Sequence, residues 1–567
     1  MYDIYCSAKR CRPKIFSTAW TGTCQYDSSL SEQVFRRSAS GLVREMSSLD
    51  VALWGFTAAG IYVLYYFMPF AQVFLPGADL GLAVALCLVV MVPLYALYAG
   101  LGSSMPRAGG DYVYQSRILH PAIGLAFPLG WFTFFWIATY VAFGGFILAS
   151  LGLAPIFLLV GLLQNNSTLI GWASWIQAPE GQFATCLGIA AFSLVLTIVP
   201  LKWWTRSQRY VLLPTTVITN VVLIYLLGTS TPESFHQAFN YWGGLMGSPQ
   251  LYESVVEATT AAGYSVPAFS WRSTLLLMSV VSVYLAWVMW SSQGMLGEVK
   301  RADDFRRLFT TYLSAGLYLQ WIAYFIPIQL FSGVVGWDFV NRIANAYYLP
   351  NSVVPFYPSI TLFSAMLTTN PILIVLVSLG LVTGGFFAAA CVFVIVPRIW
   401  IAMSLDRLLP SWFGSVDRRT HTPIWPTVFC IVVSLIAAYL FLFWPPFYSS
   451  IVVGSVVGPT GVVFVTAIAA ILFRRRRPEI FEASPVARYR IGGVALIEIV
   501  GAISAIVAFS LVATFLTAPE LGYNVPVPIL YTFGILIACF VLYFANSAYQ
   551  RSKGMDISLA FRELPPI

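Results

Sequence analysis

The sequence predicts an all-α integral membrane protein with about twelve transmembrane helices, and three observations predict it. Of its 567 residues, 59% are hydrophobic and only 10% are charged, whereas a soluble protein carries about 25% charged residues. Little chain is left for a separate soluble domain. The apolar residues fall in runs long enough to cross a bilayer, which takes about 20 residues as a helix. Lys and Arg fall between those runs in a one-sided pattern, as membrane topology requires.

Twelve runs qualify, near 49–75, 80–103, 121–160, 183–200, 211–229, 273–297, 308–332, 371–397, 425–443, 449–473, 493–517 and 527–547. The third is long enough for two spans, and charge decides between one and two. With the N-terminus cytoplasmic and the third run a single span, 29 of the 31 Lys and Arg lie inside, and only Arg272 and Arg342 lie outside. Splitting the third run would put Lys202, Arg206 and Arg209 outside, so one long span is expected. Both termini are then cytoplasmic in a multi-pass protein of the cell membrane. The run Arg474-Arg475-Arg476-Arg477 is read as a topology anchor. The net charge of +8 therefore implies no nucleic-acid partner; the expected partners are a small molecule and membrane lipid.

Residues 1–40 form a polar stretch with no apolar signal core, expected to be a disordered cytoplasmic tail. Residues 41–229 hold spans 1–5, 273–473 hold spans 6–10, and 493–547 hold spans 11 and 12. An acidic outside loop, 230–272, carries Glu233, Glu253 and Glu257, and a basic inside loop occupies 474–492, with a cytoplasmic tail at 548–567. Asn165-Asn166-Ser167-Thr168 offers overlapping glycosylation acceptors between spans 3 and 4. The spacing of Cys6, Cys11 and Cys24 fits no zinc site, and Cys87, Cys186, Cys391, Cys430 and Cys539 sit in apolar runs as small core residues.

Interrupted spans at matching places in two halves point to a transporter site. Span 1 contains Gly55-Phe56-Thr57-Ala58-Ala59-Gly60, and five spans later comes Ser291-Ser292-Gln293-Gly294. An unwound turn frees backbone amides and carbonyls, tolerated at membrane depth only where they line a cavity or are buried in protein. Freed amides suit a carboxylate and freed carbonyls suit an ammonium. A zwitterionic amino acid needs both. The candidate substrate residues are Thr57, Ala58, Ala59, Gly60 and Ile61 in span 1, with Trp287, Trp290, Ser291 and Ser292 in span 6. The backbone of 58–61 is expected to take the carboxylate, and carbonyls of 290–292 the amine.

The most distinctive block is Pro106-Arg107-Ala108-Gly109-Gly110-Asp111-Tyr112-Val113-Tyr114, between spans 2 and 3. It resembles the span 2–3 signature of the amino acid–polyamine–organocation family of permeases. Four further blocks agree in order: Gly60-Ile61-Tyr62-Val63-Leu64 in span 1, Gly297-Glu298-Val299-Lys300 after span 6, Ala402-Met403-Ser404-Leu405-Asp406-Arg407-Leu408-Leu409-Pro410 after Arg398, and Thr422-Pro423 before span 9. The resemblance covers roughly 40–550. It implies a LeuT-type five-plus-five inverted repeat plus two extra helices, alternating access, and an amino acid or related amine as substrate. Two positions depart from the family pattern: its first span 1 glycine is Ala58 here, and its span 6 glycine stands at Val288. The pocket is thus expected to be bulky and aromatic.

Ion coupling has little support in the residues, and no cofactor is expected beyond a proton or sodium ion. Span 5 has no Lys or acid. Glu498 is the one acid read inside a span, and a packing or ion-pair role is expected for it. Thr383 in span 8 is the candidate sodium ligand. At the cytoplasmic mouth Arg44 and Glu298 are the candidate gate, with Asp50, Arg107 and Lys300 on the same side. An enzyme is disfavoured: His120, His236 and His421 all fall in loops, and no nucleophile–base grouping appears. A channel would want a polar stripe that repeats along the spans, and none does. A nutrient receptor would usually add a soluble signalling domain.

Overall fold

The computed structural model describes residues 41–290, 294–350 and 352–564, without the side chains of Phe70 and Gln72. Among the described residues, twelve helices are long and apolar enough to cross a membrane. Spans 1 to 6 are Ser48–Pro69, Leu80–Ser104, Pro121–Leu163, Pro179–Thr197, Leu201–Gly228 and Trp271–Met289. Spans 7 to 12 are Phe305–Val335, Pro371–Leu405, Ile424–Phe443, Pro445–Arg476, Leu496–Thr517 and Pro526–Ser552. The third run is one helix of 43 residues, as the charges require. It keeps its length through two wider π-helical turns, Phe127–Thr133 and Ile147–Leu153. The first of these contains Pro128, whose missing N–H disrupts the α-helical ladder.

Span 1 is set against spans 7 and 8 and the end of span 6. Span 1 is 89% buried, whereas spans 11 and 12 are 28% and 22% buried. The last two are therefore peripheral, with Ile506, Phe509, Leu530 and Ile537 turned outward where acyl chains replace water. Spans 3 and 8 cross closely: a Cβ on Gly385 would lie 2.8 Å from the Leu148 nitrogen and 2.9 Å from the Gly144 carbonyl oxygen.

Most boundaries shift by a few residues from the sequence expectation; span 5 begins ten residues early, at Leu201, and span 8 runs eight further, to Leu405. Span 11 starts at Leu496, because Arg490–Ile491 and Val494–Ala495 pair as a small antiparallel hairpin around Gly492-Gly493. Glu498 thus lies in the first helical turn, and its carboxylate accepts from the Ala495 amide at 3.1 Å. It caps its own helix at the membrane edge and is not an acid deep within a span. Span 6 ends its α-helix at Ala286, eleven residues before the expected limit of 297. The acidic loop also folds, into helices Pro232–Leu245 and Leu251–Ala261.

Candidate substrate site at two interrupted helices

Span 1 begins with a capping box. The Asp50 carboxylate accepts from the Ser47 amide at 2.7 Å, and the Ser47 hydroxyl accepts from the Asp50 amide at 3.4 Å. The α-helix runs to Ala58 and stops; a 3-10 turn, Val63–Tyr66, and a second helix, Phe67–Phe74, follow. The interruption spans 59–62. Gly60 and Tyr62 both have positive φ, 63° and 71°. Glycine meets that demand without penalty, whereas a bulky residue there is strained. Tyr62 is held in place by its hydroxyl, which is 3.2 Å from the Thr216 carbonyl and 3.3 Å from Asn220 Oδ1.

The backbone at the break is largely satisfied. The amides of Ala59, Gly60 and Ile61 donate to the carbonyls of Gly55, Thr57 and Phe56 at 3.0, 3.0 and 3.1 Å. The Thr57 hydroxyl donates to the Trp54 carbonyl at 2.8 Å. The Ala58 carbonyl accepts from the Tyr140 hydroxyl, and the Gly60 carbonyl from the Tyr324 hydroxyl at 3.3 Å. Thr57, Ala58, Ala59 and Ile61 are all buried.

Span 6 loses its α-helical form opposite this point. Trp287–Met289 is a 3-10 turn, and Leu296–Glu298 is another. Ser291 and Ser292 lie outside the described residues. The two broken spans touch at Gly55, where a Cβ would come within 2.9 Å of Val288 Cγ1; the valine that replaces the expected glycine fits against a glycine of span 1. Trp287 packs against Tyr140, Tyr284 and Trp290, with ring centroids 5.4, 5.1 and 5.8 Å apart. Trp290 packs on Phe132 at 4.8 Å. Both tryptophans face the protein interior and not lipid. The Trp287 indole N–H is buried with no acceptor among the described residues. Such donors are normally satisfied, by water or ligand where protein does not reach. Two small voids, each of about 10 Å³, flank this tryptophan, and neither holds an amino acid unless the walls move.

The sequence reading missed the tyrosines Tyr62, Tyr140 and Tyr324, because nothing in their spacing separates a site hydroxyl from core packing. It also missed an acid. Asp111 opens a short helix, Asp111–Ile118, after Gly109 and Gly110, whose φ values of 112° and 47° turn the chain inward. Its carboxylate accepts from Tyr98 at 2.7 Å and from Thr466 at 2.6 Å. Tyr98 in turn accepts from the Trp290 indole at 3.0 Å. Burial pushes the Asp111 carboxyl up to about 6, against the hydrogen bonds from Thr466 and Tyr98 that favour its charged form. A carboxylate therefore sits two hydrogen bonds from Trp290.

At the basic ends of the helices the expected gate residues part company. Arg44 is exposed, while Glu298 is buried in a bidentate ion pair with Arg398 of span 8. The Glu298 carbonyl also accepts from the amides of Glu45 and Met46, both at 2.9 Å. Burial, and then the charge of Arg44, pull the half-buried Arg107 guanidinium below its usual range. Asp50 pairs with Arg209 of span 5 at 2.6 Å. A second buried pair, Arg117 with Asp406, ties the short helix to the end of span 8 at 2.5 Å. Thr383 is 2.7 Å from the Thr215 hydroxyl and donates to the carbonyls of Leu379 and Gly380. It faces span 5 and not the carbonyls of the span 1 break.

Comparison with known proteins decides the family. The profile of the amino acid permease family matches residues 47–549. The chain belongs to that family. The permease is also similar to an uncharacterized transporter of Rhizobium meliloti (strain 1021), at 26% identity over 193 residues. That match spans 34% of this chain and 37% of the relative, so the permease aligns with little more than a third of that protein's length. The twelve apolar helices make this member of the amino acid permease family a multi-pass membrane protein.

Proposed function

We propose that this permease is a secondary transporter that moves amino acids or related amines across the cell membrane by alternating access, with substrate held between the breaks of spans 1 and 6. The observation that carries the reading is the meeting of two interrupted helices around Tyr140, at membrane depth and out of water. Breaking span 1 there costs two buried tyrosine hydroxyls, Tyr140 and Tyr324, spent on carbonyls that a continuous helix would satisfy itself. Binding a small polar molecule gives that cost a purpose. Tyr140 on the Ala58 carbonyl is placed to clamp the span 1 turn and to release it. Loosening that turn would free the amides of 59–61 for a carboxylate. On the span 6 side, Trp287 offers an unspent donor.

The positive-inside pattern supports a cytoplasmic position for both termini. Counterflow into proteoliposomes with a panel of labelled amino acids and polyamines tests the reading. Saturable exchange of an amino acid is the expected result, and imposed proton and sodium gradients then show whether accumulation is coupled. No exchange by any panel member, from protein shown to be folded in the same vesicles, would overturn it in favour of a receptor-like role.

A further inference from the structure

Between the ends of spans 4 and 5 on the basic face lies an open groove of about 610 Å³. Its floor is Val195, Leu196 and Val199, and its rim is Trp203, Arg206 and Tyr210. Val195 is 64% exposed and Tyr210 75%. The Arg206 guanidinium lies over the Trp203 ring, 5.1 Å from its centroid. Lys202 is exposed one turn before Arg206. Among the described residues, neither cation has a carboxylate within ion-pair distance. Their neighbour Arg209, by contrast, is spent on Asp50.

We propose that this groove binds one acidic phospholipid, its phosphate between Lys202 and Arg206 and its first acyl carbons on the floor. Three features select this occupant. Arg206 in the lining and Lys202 one turn before it favour a lipid with a net negative charge over a zwitterionic one. The apolar floor runs on into the lipid-facing surface of span 4, where Leu194 and Ile198 are also exposed, and a free phosphate ion has no use for it. Trp203 and Tyr210 are of the residue types enriched at membrane–water boundaries, and basic pockets between helices on the cytoplasmic side suit acidic headgroups. The groove's own helix carries Arg209, which also bonds the Ser47 hydroxyl at 3.0 Å. A bound lipid would therefore brace the latch at the start of span 1. The inference needs only a membrane-embedded chain and does not depend on the substrate.

The test is lipid retention by the full chain, purified from vesicles of phosphatidylcholine and phosphatidylglycerol and weighed by native mass spectrometry. The Lys202→Gln/Arg206→Gln variant is compared with wild type and with Arg418→Gln/Arg419→Gln, which removes two exposed charges elsewhere. Each groove charge is expected to be worth about fivefold, so the groove variant should hold phosphatidylglycerol about 25-fold more weakly. The control should match wild type. A photoreactive phosphatidylglycerol should label 195–210 and resist an excess of inorganic phosphate. Equal retention by groove variant and wild type, equal labelling by phosphatidylcholine, or loss of label to inorganic phosphate would each overturn the proposal. Both variants alter exposed side chains, and matching melting temperatures exclude misfolding.

Discussion

Gly60 shows at the scale of one residue why a site assignment is testable. Its φ of 63° suits glycine, and a Cβ there would meet Val63 Cβ at 3.4 Å, with the Tyr140 hydroxyl 3.8 Å away. A left-handed conformation costs an L side chain about 1–2 kcal/mol, which a membrane helix bundle tolerates. A leucine at this position also projects toward Tyr140, into the space the proposed substrate needs. Gly60→Leu is therefore expected to abolish uptake while the protein still inserts and folds. Transport at wild-type rate by this variant would remove the site from span 1. Asp111 makes a different prediction. Burial raises its carboxyl from 3.8 to about 6, so between those values the folded state holds a proton that the unfolded chain has released. Its contribution to stability thus falls as pH rises through that window and is flat above it. Melting of the wild-type protein in detergent should lose several degrees more across that window than melting of Asp111→Asn, which has no such proton. Parallel pH profiles for the two proteins would show that Asp111 titrates normally.

At the scale of the element, the sequence was informative where composition carries the signal and silent where geometry does. The twelve spans were legible because bilayer thickness imposes a length and water imposes the charge pattern at the ends. The span 1 break was legible because Gly55 and Gly60 interrupt a long apolar run. The partner of Glu298 was not legible, since Arg398 lies 100 residues away and reads as one more inside cation. The inward turn of Asp111 was missed for a related reason: the loop that carries it is polar, yet Tyr98, Gln115 and Thr466 bury and satisfy that polarity. The Glu298–Arg398 pair gives this scale its prediction. Both side chains are at most 3% exposed, so neither charge has water to fall back on. Removing one partner of such a pair costs about 3–5 kcal/mol, whereas removing both costs much less. Arg398→Met should therefore lower the yield of folded, monodisperse protein more than Arg398→Met combined with Glu298→Gln. Equal damage from the single and double variants would mean that Arg398 acts through its bond to the Val394 carbonyl and not through the ion pair.

The whole molecule is organised by one asymmetry, the crowding of cations at one end of the bundle. It anchors the helix ends, supplies Arg209 and Arg398 to latch spans 1 and 6, and leaves Lys202 and Arg206 for the lipid. The anchoring and lipid-binding roles require that the basic end face the cytoplasm, which is a statement about orientation that can be measured. Ala262 lies between spans 5 and 6 and Lys553 follows span 12, and both are exposed. An odd number of crossings separates the first from the N-terminus and an even number the second, so the two positions lie on opposite sides. The tail cysteines Cys6, Cys11 and Cys24 are first changed to serine; Cys87, Cys186, Cys391 and Cys430 are buried and Cys539 partly so. On intact cells a membrane-impermeant maleimide should then label Ala262→Cys and spare Lys553→Cys, with the pattern reversed in inside-out vesicles. The opposite result would place the arginine cluster outside, against the strongest regularity of membrane insertion. Labelling of both positions from one side would mean that an odd number of the seven intervening helices does not cross the membrane.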